Sequence, residues 1–165
     1  MNDNIDIETD RLKIRSFTKN DLNDVFEYLS DEIVMKYIEP VFTYEQVIEF
    51  INRTGIENKL IFAIEIKNEK KVIGHLIFHE YKKDIYELGW IINRNYWNNG
   101  YAIKVSKTII KFGFNTLNIK KIIGETDEEN KKSIKIFEKI GMKFVGKNKD
   151  GLIEYEINNN ENIIK

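Results

Sequence analysis

The run Tyr86-Glu87-Leu88-Gly89-Trp90-Ile91-Ile92, then Asn93-Arg94-Asn95-Tyr96-Trp97-Asn98-Asn99-Gly100, then Tyr101-Ala102, constrains this chain more than any other. The first seven residues are largely apolar with a single acid, which predicts a buried strand. The next eight are rich in turn formers and lack apolar periodicity, which predicts a loop. Beyond Gly100, Ala102, Val105, Ile109 and Phe112 recur at helical spacing, with Lys104, Lys107 and Lys111 on the other faces. The unit is therefore a strand, a polar loop ending in glycine, and a helix.

The first turn of a helix leaves backbone N–H groups without intrahelical partners, and they point at whatever occupies the preceding loop. With the helix dipole they attract an anion, and a glycine there lets a phosphate come close to the backbone. The loop has neither the Gly-x-x-x-x-Gly-Lys-Ser/Thr of a nucleoside-triphosphate loop nor the Gly-x-Gly-x-x-Gly of a dinucleotide fold. A pyrophosphate held mainly by backbone N–H groups fits what remains; so does an ordinary strand-loop-helix connection.

Composition narrows the setting. The 165 residues suit one domain with a real core, and 42% hydrophobic with 32% charged residues is ordinary globular usage. Net charge is −1 with both signs interspersed, so nothing marks a nucleic-acid or membrane surface. The absence of cysteine removes disulfides, thiolate nucleophiles and cysteine zinc sites. No apolar run approaches a membrane span, and a cytoplasmic location is expected. His75 and His79 are four apart on an expected strand, roughly 13 Å, too far to share one ion, so both are read as structural and no metal is expected.

In chain order, residues 7–15 read as a first strand, and Thr18 with Asp21 as a capping box opening a helix whose inner face is Leu22, Val25, Phe26 and Leu29. Arg11 and Arg15 read as an exposed strand face. Residues 31–42 read as irregular. Thr43 and Gln46 form a second capping box, leading a helix with Val47, Phe50 and Ile51 inward. Strands are expected at 60–66, 72–80, 119–125, 142–146 and 152–157, turns at 68–71 and 81–84, and a helix at 130–140 stopped by Gly141. Residues 158–165 read as a frayed tail.

Trp97-Asn98-Asn99-Gly100-Tyr101-Ala102 resembles the Gln/Arg-x-x-Gly-x-Gly/Ala signature with which GNAT N-acetyltransferases cradle the pyrophosphate of coenzyme A. Tyr96-Trp97 before it and Tyr101-Ala102 at its end are similar to the RimJ/RimL-like branch, which acetylates N-terminal amines. Thr9-x-Arg11-Leu12-x-Ile14-Arg15 resembles the opening of that branch. Asn130-x-x-Ser133-x-x-x-Phe137-Glu138-Lys139-x-Gly141-Met142 resembles its Asn-x-x-Ser-x-x-x-x-Glu-Lys-x-Gly-Phe segment. The resemblance covers nearly the whole chain. It implies a GNAT fold: a single α/β domain with a mixed, mostly antiparallel, centrally splayed sheet and helices on both faces. It also implies acetyl-coenzyme A as cosubstrate and an amine acceptor. The acceptor is a protein N-terminus by resemblance to the branch, or a small amine such as a polyamine or an aminoglycoside. A coenzyme A-binding module without turnover is the alternative of another class, and monomer and homodimer both remain open.

Acetyl transfer to an amine needs a base for the ammonium proton, a donor for the developing oxyanion and a proton for the leaving thiolate. An acid in an apolar strand is desolvated unless paired, and desolvation moves a carboxylate toward the range of a general base. Glu87 is in that position, as a base or as a structural acid paired with a neighbour. The resemblance places the family's base glutamate at Glu87 and an oxyanion-binding backbone N–H near Trp90 to Ile92, with Ile91 and Ile92 at the exposed strand edge against which the thioester lies. It places Trp97, Asn98, Asn99, Gly100, Tyr101 and Ala102 on the pyrophosphate, and Asn130 at a helix start beside the pantetheine arm. Ser133 is the implied proton donor. Phe137 stands where many members carry a tyrosine acid and, lacking a hydroxyl, is left as a cofactor contact. Trp97 replaces the signature's Arg/Gln and Asn98 a common glycine, a tolerable change because Asn also visits left-handed turns.

Overall fold

The computed structural model describes residues 5–161. They form two compact units. One comprises the described residues up to His79 with Trp90–Tyr101; the other comprises Glu80–Gly89 with the described residues from Ala102 onward.

In the first unit, residues 7–15 fold as two strands instead of one. β1 (Ile7–Glu8) and β2 (Leu12–Arg15) pair antiparallel, Ile7 opposite Ile14. Thr9 closes the turn between them: its N–H donates to Leu12 O at 2.8 Å and its Oγ1 accepts from Leu12 N–H at 3.1 Å. The Thr18/Asp21 capping box forms around a short 3-10 turn, Lys19–Asp21, that runs into α1 (Leu22–Leu29). Arg15 is no idle surface residue. It donates twice to Asp21 at 2.9 Å and once to Glu65 at 2.7 Å, tying β2 to the helix start. The stretch read as irregular contains one helical turn, α2 (Glu32–Met35), capped by Asp31. α3 (Tyr44–Phe50) opens on the Thr43/Gln46 capping box and continues as a π-helical segment, Ile51–Glu57. Gly55 lies in that segment, and the Phe17 ring packs 2.9 Å from where a Cβ would stand.

β3 (Ile61–Ile66) pairs antiparallel with β2 and with β4 (Lys71–Lys82). Val25, Tyr28, Leu29, Val47, Ile51, Ala63 and Val72 share the core on this side. His75 on β4 is buried there, joined to the Tyr28 hydroxyl at 2.8 Å through Nδ1 and flanked by the Phe17 and Phe50 rings. It is structural, as read from strand geometry. Burial depresses its imidazole from 6.5 to about 3, so the folded protein holds it neutral while the unfolded chain protonates it below about 6.5. Its contribution to stability is therefore full above pH 6.5 and is lost as pH falls toward 3, at up to about 1.4 kcal/mol per pH unit. His75→Gln, which keeps a hydrogen-bonding partner for Tyr28 but does not titrate, is expected to flatten that part of the curve. Urea midpoints from pH 7 to 3.5 on both proteins check it; parallel curves would rule it out.

The turn into β5 (Ile85–Ile92) is shorter than the sequence suggests: Tyr81 and Lys82 extend β4, leaving Lys83-Asp84, with Asp84 at φ +63°. In the second unit, residues 85–87 of β5 pair parallel with β6 (Lys121–Thr126), placing Glu87 opposite Ile123. α4 (Tyr101–Asn115) is the connection that a parallel pair requires. α5 (Lys131–Lys139) is capped by Asn130 and ended by Gly141 at φ +90°, as expected of a helix stop. β7 (Lys143–Lys147) and β8 (Ile153–Asn158) follow, β8 antiparallel to both β6 and β7. The sheet order is β1-β2-β3-β4-β5-β6-β8-β7. Asn158, from which a frayed tail is expected, instead closes β8. Asn159 donates to Lys120 O at 2.9 Å and through its amide to Ile119 O at 2.8 Å, while 162–165 lie outside the described residues.

Alternation along these strands separates two faces of the second unit's sheet. Ile122, Gly124, Tyr155 and Ile157 share the apolar face, and Phe137 of α5 stacks on Tyr155 with ring centroids 5.0 Å apart. By register Glu87, Ile123, Glu125, Glu154 and Glu156 share the other.

Candidate active site

The loop 93–100 is built almost entirely from contacts within the first unit. Asn93 is buried: its backbone N–H donates to Ile73 O at 2.7 Å, and its side chain bonds Glu27 at 3.1 Å and accepts from Asn95 N–H at 3.0 Å. Lys71 holds the other Glu27 oxygen at 2.8 Å, and these two partners keep the Glu27 carboxyl below its ordinary range. Arg94 pairs with Asp31 at 2.9 Å. The Tyr96 hydroxyl donates to Glu69 at 2.6 Å, which lifts the phenol to about 12. Trp97 turns inward, donating Nε1–H to Ile92 O at 2.8 Å and packing on the core. Its part is thus to fold the loop, and the charged contact of the general signature is absent at this position.

Asn98 (φ +64°) and Gly100 (φ +75°) are both left-handed, and the Asn99 amide bonds the carbonyls of Tyr96 and Trp97 at 3.1 Å. These turns deliver the chain into α4 at Tyr101. A Cβ built on Gly100 meets nothing within 4 Å. The loop therefore presents open space over a glycine at a helix start, the arrangement a phosphate needs. Ile91 and Ile92 have buried side chains and offer backbone only.

Sequence reasoning missed Arg11 at this loop. Its Nη2 donates to Asn99 O at 3.3 Å and its guanidinium lies over the Tyr101 ring, 4.8 Å from the centroid. Nothing local signals a contact across 88 positions of sequence.

The second unit holds Glu87, Ala102, Asn130, Ser133 and Phe137. Glu87 is half-buried on β5. Its neighbour on the same face is Glu125, another residue that sequence reasoning passed over. Partial burial of its carboxyl, then the negative charges of Glu87, Glu154 and Asp150, hold Glu125 above the ordinary carboxylate range. An Asn148 amide bond at 2.7 Å pulls the other way. Glu125 and Glu154 are direct cross-strand partners, a like-charge pairing that is unfavourable in a sheet with no function to serve. Asn130 Oδ1 caps α5 by accepting from Ser133 N–H at 3.3 Å. Ser133 is half-buried, and its Oγ makes no hydrogen bond among the described residues.

Phe137 is 2% exposed, stacked on Tyr155, and 2.5 Å from where a Gly124 Cβ would stand, so its ring is part of the core. Among the described residues no group of three or more His, Asp or Glu side chains is placed to hold a metal ion. No described helix is long and apolar enough to cross a membrane.

Comparison with known proteins places this geometry. Residues 11–143 match the family model described as Acetyltransferase (GNAT) domain. The chain is similar to the uncharacterized N-acetyltransferase YnaD of Bacillus subtilis (strain 168), 41% identical over 142 residues, covering 85% of this chain and 84% of that protein. It is 28% identical over 145 residues to spermidine N(1)-acetyltransferase of Escherichia coli (strain K12), covering 82% and 74%. Among solved structures, the GNAT-family acetyltransferase from Bacillus anthracis superposes with a TM-score of 0.87 at 35% identity, covering 94% of this chain and 99% of that one. A sheet with a parallel junction between β5 and β6, a glycine-ended loop feeding the helix that makes that junction, and a family match across most of the chain agree: this protein belongs to the GNAT acetyltransferase family.

Proposed function

We propose that the protein transfers acetyl from acetyl-coenzyme A to a primary amine by direct attack in a ternary complex, and that the acceptor is a small amine carrying more than one positive charge. The observation that carries the choice of acceptor is the carboxylate face of Glu87, Glu125 and Glu154, where like charges oppose one another and a polycation would relieve them. The likeness to a protein named spermidine N(1)-acetyltransferase supports it. A protein N-terminus is the second reading, favoured by the Rim-type flanks Tyr96-Trp97 and Tyr101-Ala102.

Acetyl-coenzyme A supplies an activated thioester when bound. In this reading Asn98, Asn99, Gly100 and the N–H groups of Tyr101 and Ala102 hold its pyrophosphate, and Asn130 is left with its Nδ2–H groups for the pantetheine arm. Glu87 takes the proton of the attacking ammonium, directly or through water. Backbone N–H near Ile91 and Ile92 receives the charge developing on the carbonyl oxygen. Ser133 Oγ, with no competing partner among the described residues, gives the departing thiolate a proton.

Calorimetric titration with acetyl-coenzyme A tests the cradle. Wild type is expected to bind. Gly100→Glu places a carboxylate where the phosphates belong, on a backbone whose φ of +75° already disfavours a side chain, and is expected to abolish binding with the fold intact by circular dichroism. Unimpaired binding by that variant would remove the loop from the site. Thiol release with spermidine and with an alanine-led peptide then separates the two acceptors.

A further inference from the structure

The part of the loop that is proposed to hold the pyrophosphate contains no cation, and Arg94 at its start is taken up by Asp31. Residues 97–101 are Trp, Asn, Asn, Gly and Tyr, and Trp97 has turned its polar edge onto Ile92 O. Two phosphates held by backbone dipoles alone leave charge without a counter-charge. The first unit does bring a second cation to this part of the loop, from far away in sequence.

That cation is Arg11, on the turn between β1 and β2. Its backbone is pinned: Lys67 N–H donates to Arg11 O at 2.9 Å, and Thr9 closes the turn on Leu12. Its side chain reaches Asn99 O at 3.3 Å and covers the Tyr101 ring at 4.8 Å, so the guanidinium stands at both ends of the Asn99-Gly100-Tyr101 segment. The chain has four arginines. Arg15 is paired with Asp21 and Glu65, Arg53 with Glu49, and Arg94 with Asp31. Among the described residues Arg11 has no carboxylate partner. It spends one N–H on a carbonyl and keeps four donors, on an exposed side chain whose orientation is set by an aromatic face.

A guanidinium that is oriented, exposed and without an anion suits bidentate contact with a phosphate. We propose that Arg11 is a binding residue for the pyrophosphate of coenzyme A, supplying from the first hairpin the positive charge that Trp97 does not. This rests on the reading of the loop as a pyrophosphate cradle. In that arrangement the Asn99 carbonyl and the Tyr101 ring position the guanidinium beside Gly100, and the phosphates take its remaining donors.

The test compares wild type with Arg11→Met, which keeps the aliphatic stem over Tyr101 and removes the charge, and with Arg11→Lys, which keeps a charge without the fork. Affinity is measured for coenzyme A and for dephospho-coenzyme A, which lacks the 3′-phosphate but retains the pyrophosphate. Turnover is measured with acetyl-coenzyme A and with S-acetylpantetheine, which has no phosphate. Arg11→Met is expected to weaken both nucleotide ligands by roughly tenfold to a hundredfold and raise the KM for acetyl-coenzyme A equally, with kcat unchanged. Turnover of S-acetylpantetheine should not move, Arg11→Lys should fall between, and the difference should shrink with added salt.

A parallel loss with S-acetylpantetheine would make Arg11 a strap for the loop and overturn the proposal. So would a loss seen with coenzyme A but not with dephospho-coenzyme A, which would move the contact to the 3′-phosphate. Coenzyme A binding by wild type that Arg11→Met leaves unchanged would remove Arg11 alone and leave the cradle standing. A folded wild type that binds no coenzyme A would remove both.

Discussion

Glu87→Gln is expected to lower kcat for acetyl transfer to a primary amine by about 10²- to 10⁴-fold, the usual contribution of a positioned general base, with coenzyme A affinity unchanged. The substitution keeps the shape and hydrogen-bonding capacity of the side chain and removes only its charge and its ability to take a proton. Its place on β5, opposite Ile123 and on the face shared with Glu125 and Glu154, is set by strand register and should survive the change. A second readout separates chemistry from structure. The Glu87 charge is one of the causes that hold the Glu125 carboxyl above its ordinary range, so Glu125 should titrate lower in the variant, measurable by carbon-detected NMR. Near-wild-type kcat in a folded Glu87→Gln protein would remove the base from this position and turn attention to Glu125.

Gly74→Val is expected to destabilise the protein by about 3 kcal/mol or more, at the upper end of what overpacking usually costs. A Cβ on Gly74 would stand 2.2 Å from Ile91 O and 3.0 Å from Ile92 Cα, so the obstacle is the backbone of the neighbouring strand, which cannot rotate away. β4 and β5 would have to part here, beside the Asn93-to-Ile73 hydrogen bond that starts the loop. Thermal unfolding should shift down by roughly 6–12 °C. Gly100→Ala is the control: with nothing within 4 Å of its Cβ, its penalty comes only from the left-handed φ and should be about 1 kcal/mol. Equal midpoints for the two variants would show that the close approach at Gly74 is relieved by an easy shift.

The features read correctly from sequence are those whose cause lies within a few residues. Both capping boxes are three-residue reciprocal hydrogen bonds, and Thr18/Asp21 and Thr43/Gln46 form as their spacing predicts. Gly141 stops α5 because a left-handed φ favours glycine. The strand, loop and helix of 85–115 follow from a change of apolar period around a run of turn formers. The misreadings have local causes that leave a weaker trace. A single threonine side chain breaks residues 7–15 into a hairpin, and a π-helical register costs no change in apolar pattern until Gly55 admits Phe17.

The site divides along the same line. The sequence by itself determined the loop, its closing glycine and the Asn130 cap, because these lie in contiguous motifs with local geometry, and it singled out Glu87 and Ser133 as candidates. The tertiary structure alone decided that Arg11 meets Asn99, that Phe137 packs in the core, and that Glu87, Glu125 and Glu154 share one face. Those outcomes depend on register and on pairings between segments distant in the chain, where a one-residue slip would send every side chain to the opposite face.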